Sequence, residues 1–108
     1  MATPQITLVK AVSDTDAPPG TVLIYSVDYL SNGSAGAYNV VIVDEVPAPV
    51  IYQTGSAVGP GALIEFSHDS GASFDSSEAP PVTHIRWSFP AAFAPGNGGQ
   101  VSFEALIP

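Results

Sequence analysis

No apolar run in this chain keeps helical spacing for three turns before a Pro or a Gly interrupts it, and that property alone argues against bundles and α/β layers. What remains is a series of short alternating runs cut by turn-forming residues, with 11 Pro and 10 Gly among 108 residues supplying the cuts. Ile6 to Val12 alternates, with Ile6, Leu8, Lys10 and Val12 in one phase, and is followed by Ser13-Asp14-Thr15-Asp16 and Pro18-Pro19-Gly20. Thr21 to Leu30 sets Leu23, Tyr25, Val27 and Tyr29 on one face and Val22, Ile24, Ser26, Asp28 and Leu30 on the other. Asn32-Gly33 reads as a tight turn with positive φ, and Tyr38 to Glu45, rich in β-branched residues, as a third strand. Pro47 and Pro49 then forbid a central strand. Ala62 to Ser67 follows a Gly-rich loop, Val82 to Phe89 brings Thr83, Ile85, Trp87 and Phe89 into phase, and Gln100 to Ile107 aligns Val101, Phe103, Ala105 and Ile107. About seven short strands with turn signals every 8 to 12 residues predict an all-β fold of the sandwich pattern.

Charge narrows the function. Ten acidic residues stand against two basic ones, Lys10 and Arg86, for a net charge of −8. Phosphate contacts need several Lys or Arg, so nucleic-acid binding is excluded, and anionic membrane surfaces are disfavoured for the same reason. No apolar stretch approaches the roughly 20 residues of a spanning helix, so membrane insertion is not expected. The absence of Cys closes off disulfides, zinc-thiolate sites and cysteine nucleophiles. Met1-Ala2-Thr3-Pro4 has neither a basic nor an apolar signal region, and Ala105-Leu106-Ile107-Pro108 comes directly out of a strand pattern. Residues 1–108 are therefore expected to form a single domain, either an intracellular protein or a segment excised from a longer exported chain, and the abrupt end favours the excised segment.

Several short motifs occur together in a telling order: Lys10 in the first strand, Pro19-Gly20 before Tyr25-Ser26-Val27, Asn32-Gly33, Asn39-Val40-Val41-Ile42-Val43-Asp44 with Pro47, His84-Ile85-Arg86-Trp87, and Ala94-Pro95-Gly96 before Gly99-Gln100-Val101-Ser102-Phe103. Across nearly its whole length the chain resembles the DUF11 family, Ig-like modules strung in tandem in bacterial and archaeal surface proteins. It departs from the family at Ser31, where the Asn of an Asn-x-Gly turn usually stands. The resemblance implies an Ig-like β-sandwich of about seven strands of Greek-key type, an extracellular or cell-surface location, neighbouring repeats or identical subunits as partners, and an architectural role more than an activity. A spacer module is the expected function, with self-assembly into a filament by edge-strand addition, or ligand and glycan binding at end loops near Tyr38, Tyr52 and Phe74, as alternatives.

Four constellations are candidates for chemistry or architecture. Ser67-His68-Asp69-Ser70-Gly71-Ala72-Ser73-Phe74 looks like an Asp-box hairpin, in which Asp69 accepts backbone N–H bonds, Gly71 takes a positive φ and Phe74 packs beneath. Lys10, in phase with apolar neighbours, points inward toward the face that Asp44 shares with Val40 and Ile42 by phase; a snorkelling or salt-bridged Lys at a sheet margin is expected. The more reactive possibility is an intramolecular isopeptide bond, with Asn39 or Asp44 as acceptor and Asp28 or Asp44 assisting. Asp14 and Asp16, with Asp75 and Glu78 more distant, could offer oxygens to Ca²⁺, but without the spacing of a known calcium loop; no metal or other cofactor is expected. His68 and His84 lack any nucleophile-elbow or oxyanion sequence, so no enzyme is expected. Trp87 is the expected core anchor between sheets.

Overall fold

A computed structural model of the chain describes residues 2–108. Seven strands form: β1 (Ile6–Val12), β2 (Val22–Ser31), β3 (Val41–Glu45), β4 (Ile51–Tyr52), β5 (Leu63–Ser67), β6 (His84–Ser88) and β7 (Gly98–Leu106). They make two antiparallel sheets, one ordered β1-β2-β7-β4 and the other β3-β6-β5. The fold is an all-β sandwich without helices among the described residues.

The alternating phases explain which faces meet. Val27, Tyr29, Val101, Phe103 and Ala105 of the larger sheet are buried against Ile42, Phe66, Ile85, Trp87 and the following Phe89 of the smaller one. Trp87 is wholly buried, as are Ile85 and Val101, so the indole lies at the centre of the core. Aromatic pairs extend it, Tyr25 stacking on Phe103 at 5.1 Å and Tyr29 meeting Phe89 at 5.2 Å.

Three details differ from the sequence reading. The third strand begins at Val41 rather than Tyr38, because Asn39 takes a left-handed backbone (φ 53°) that ends any extended run before it. The two-residue β4 pairs with the end of β7 as an edge strand, an arrangement that Pro47 and Pro49 allow. Asn32-Gly33 is not a hairpin turn: β2 and β3 lie in different sheets, and Gly33 is not among the residues with positive φ. Gly33 instead lies against the chain at Thr3 to Gln5, where a Cβ would fall 2.5 Å from the Gln5 nitrogen and 2.9 Å from the Pro4 carbonyl carbon.

The register of β2 determines how the chain enters and leaves. Ile6 pairs with Ser31 at one end of β2, and Leu106 pairs with Val22 at the other. Strands β1 and β7 thus flank β2 on either side, run parallel to each other, and carry the two chain ends to opposite ends of the sheet. The molecule measures 49 × 29 × 20 Å.

Candidate functional site

The most tightly organised loop joins β5 to the segment before β6. Asp69 accepts hydrogen bonds from the Ser73 hydroxyl (2.6 Å), the Ser67 hydroxyl (2.7 Å) and the Ser73 N–H (3.0 Å). The same donors, Ser73 hydroxyl first, pull its carboxyl down to about 2, so the knot is intact at any ordinary pH and is lost only as pH falls through that value. Gly71 has φ 89° and its N–H donates to the buried Ser67 hydroxyl at 2.8 Å. Phe74 is half-buried, and its ring lies against the Arg86 guanidinium at 4.2 Å; Arg86 alternates with Ile85 and Trp87, which take the inward positions of β6. Arg86 also donates to Glu65 at 2.7 Å.

His68 braces this loop to the chain beyond it. Its Nδ1 faces the Pro81 carbonyl at 2.8 Å and its Nε2 faces Asp75 Oδ1 at 3.0 Å. Both partners are acceptors, so only the imidazolium, with two N–H donors, satisfies both. The Pro81 carbonyl and then the Asp75 carboxylate raise the His68 pKa above its ordinary 6.5, and the His68 ring in turn lowers that of Asp75. The sign follows: the brace is fully present below pH 6.5 and is lost as pH rises through the raised value. A proton NMR titration should therefore put the His68 midpoint above 6.5, with amide exchange between residues 68 and 81 quickening over the same range. A midpoint at or below 6.5 would refute the brace, and in His68→Gln the exchange should follow only the intrinsic base-catalysed rise with pH, without the added step.

Lys10 does face the seam between the sheets, and its Nζ donates to Asp44 Oδ1 at 3.0 Å. The pair crosses from β1 to β3 at the sandwich margin, with the Lys10 side chain 59% exposed and that of Asp44 only 11%. The other residues of the isopeptide reading are not gathered there. Asp28 lies on the outer face of the larger sheet, where Gln100 Nε2 donates to it at 2.9 Å, and Asn39 lies beyond the far end of β3. An amine this exposed, 3.0 Å from one carboxylate, is an ion pair, and the expected intact mass equals that of the sequence; a mass short by one water would reveal an amide to Asp44.

The remaining candidates scatter. Asp14 Oδ1 accepts the Asp16 N–H at 2.9 Å in a local turn, and among the described residues no three His, Cys, Asp or Glu side chains converge as a metal site. His84 is half-buried, its Nδ1 3.2 Å from the Thr83 hydroxyl and its Nε2 3.8 Å from Glu45. Of the three aromatics near turns, Tyr38 is the open one, at 76% exposure. Tyr52 is buried and donates to Glu78 at 2.5 Å, and burial first, then this carboxylate, raise its hydroxyl to about 12. Glu78 also accepts the Gly55 N–H at 2.7 Å, which ties the loop after β4 to residue 78. No sequence signal marked that tie, since its partners lie 23 and 26 positions apart.

Two grooves of about 360 Å³ each lie between β1 and β3, one lined by Pro4, Ile6, Leu8, Tyr38 and Val41 and the other by Lys10, Val12, Tyr25 and Asp44. β1 and β3 are each an edge strand of their sheet. Comparison with family models, with curated proteins and with solved structures finds no match to this chain.

Proposed function

We propose that this chain is a non-enzymatic structural spacer, an Ig-like module of DUF11 type in an extracellular or cell-surface protein, with neighbouring modules as its partners. The observation that carries the reading is the path of load through β2. Tension applied at the two ends of the described chain pulls β1 and β7 in opposite directions on either side of β2. It therefore shears both ladders along their whole length rather than unzipping one hydrogen bond at a time. The ends are offset along β2 by roughly 30 Å, the rise of its 10 residues, so modules joined this way add length. The ordered Asp69 loop and the low density of reactive groups suit a part whose work is to hold its shape.

Single-molecule pulling tests this. Stretched through residues 2 and 108, the domain should unfold in one event at severalfold higher force than when stretched through Ile6 and Ser31, where the β1–β2 ladder is loaded from one end. Equal forces in the two geometries would refute a load-bearing role.

A further inference from the structure

We infer that the free edge of β1 is a self-pairing surface, on which a second copy of this chain adds its own β1 antiparallel to give a closed dimer with one eight-stranded sheet.

The hydrogen-bond phase shows which groups are free. Asn32 N–H donates to the Gln5 carbonyl at 3.0 Å and Ser13 N–H to the Ile24 carbonyl at 2.9 Å, so odd-numbered residues of β1 bond to β2. By the alternation of an antiparallel ladder, the N–H and C=O groups of Ile6, Leu8, Lys10 and Val12 point away from β2, to the open edge. Residues 7 to 11 are all exposed, Leu8 at 43% and Val9 at 59%.

The other three edges are guarded in ways that this one is not. The β4 edge is two residues long and follows Pro47 and Pro49. At the β5 edge, Phe66 is already bonded in both directions to Asp75, at 2.7 and 2.9 Å. The β3 edge carries Asp44 and Glu45, and the Glu45 N–H is capped by the Asp44 carboxylate at 3.0 Å. β1 has no Pro, no Gly and no carboxylate; all ten acidic residues of the chain lie beyond it, from Asp14 onward, and its one charge is Lys10.

The occupant is a copy of this chain, which that charge pattern opposes less at β1 than at the carboxylate-lined edges. In a molecule of charge −8, a second copy is repelled at every edge lined by carboxylates and least at β1. The strand is also self-complementary in one register. With Val9 facing the partner's Val9 across a twofold axis, Ile6 pairs with the partner's Val12 and Leu8 with the partner's Lys10, so all four outward-bonding residues are used. A shift of two residues either sets the two lysines opposite each other or leaves Val12 without a partner. Such an isologous contact closes on itself and ends growth at two copies, unlike the head-to-tail addition that a filament requires.

The test exploits the absence of Cys. Val9→Cys places its thiols on facing residues of a non-hydrogen-bonded pair, within reach of a disulfide, whereas Thr7→Cys on the same face is displaced from its twin by four residues, roughly 13 Å along the strand. Under mild oxidation Val9→Cys should cross-link as a dimer and Thr7→Cys should not. Light scattering on the unmodified chain, from about 10 μM to about 1 mM, should show a monomer–dimer equilibrium that strengthens with salt, because screening relieves repulsion between two acidic bodies. Val9→Glu should raise the dimer dissociation constant by roughly tenfold or more at unchanged thermal stability, since it opposes two carboxylates at an exposed position. A monomer at every concentration, equal cross-linking of the two cysteine variants, or open-ended filaments would each overturn the proposal. None of those results bears on the pulling experiment, so the spacer reading stands or falls separately.

Discussion

Replacing Trp87 by Ala is expected to cost about 3–5 kcal/mol, the range for a large aromatic removed from a packed core. A domain of this size has a total stability of about 5–15 kcal/mol, so the variant should be largely unfolded at modest temperature or urea. The figure belongs at the upper end because the site has little room to collapse. Trp87 is wholly buried between rigid sheets, with Ile42 beside it on β3 and Ile64 on β5. On the far side Gly59 lies so close that a Cβ there would reach within 2.9 Å of the indole nitrogen. The Nε1 hydrogen bond to the Val58 carbonyl, 3.2 Å, contributes much less, because that carbonyl also accepts the Ser102 N–H at 2.9 Å and stays satisfied without the indole. Trp87→Phe should accordingly cost only about 1–2 kcal/mol, mostly for the volume lost. Urea unfolding followed by far-UV circular dichroism separates the outcomes; a Phe variant as damaged as the Ala variant would move the weight from packing to the hydrogen bond.

The strands that alternation marks most clearly are those whose two faces meet different surroundings. In β2, β6 and β7 the apolar phase coincides with the buried residues, Leu23 and Val27, Ile85 and Trp87, Val101 and Phe103. Where a strand lacks that contrast the pattern misleads. Tyr38 to Val40 reads as strand by composition, but Asn39 turns left-handed and separates Tyr38 from β3. Two residues, Ile51 and Tyr52, are too few to show a period at all.

The same limit applies to the sites. Alternation points Lys10 toward the seam, and there it meets Asp44, yet its side chain stays 59% exposed because β1 is an edge strand. Strand order is a tertiary property, set by which loops cross between sheets, and no local pattern encodes it. His68 shows the converse. Its neighbours in sequence suggest only a turn, and its two acceptors, Asp75 and Pro81, come together because the loop folds back. The Asp69 knot was more legible because donors and acceptor lie within four residues of one another.

Replacing Gly33 by Ala should be the most damaging change outside the core, at about 2–3 kcal/mol, because backbone rather than side chain occupies the space the methyl group needs. Its Cβ would press on the Thr3 carbonyl oxygen and stand 2.5 Å from the Gln5 nitrogen. Those atoms are held in place by hydrogen bonds: Ser34 N–H to the Thr3 carbonyl at 3.0 Å, Thr3 N–H to the Ser34 hydroxyl at 3.0 Å, and Asn32 N–H to the Gln5 carbonyl at 3.0 Å. Relief of the clash parts residues 3–5 from residues 32–35 and strips those bonds, fraying the start of β1. Gly20→Ala is the informative contrast. Gly20 has φ 90° with nothing within 4 Å of a Cβ, so the change there carries backbone strain alone, about 1–2 kcal/mol. Hydrogen exchange distinguishes the two mechanisms: Gly33→Ala should lose protection at Asn32, Ser34 and the β1–β2 ladder near Ile6, while Gly20→Ala leaves that ladder protected. Because the start of β1 receives tension first, Gly33→Ala should also lower the pulling force through residues 2 and 108 more than its equilibrium cost alone would suggest, whereas an unchanged force would place the mechanical barrier in the β2–β7 ladder instead.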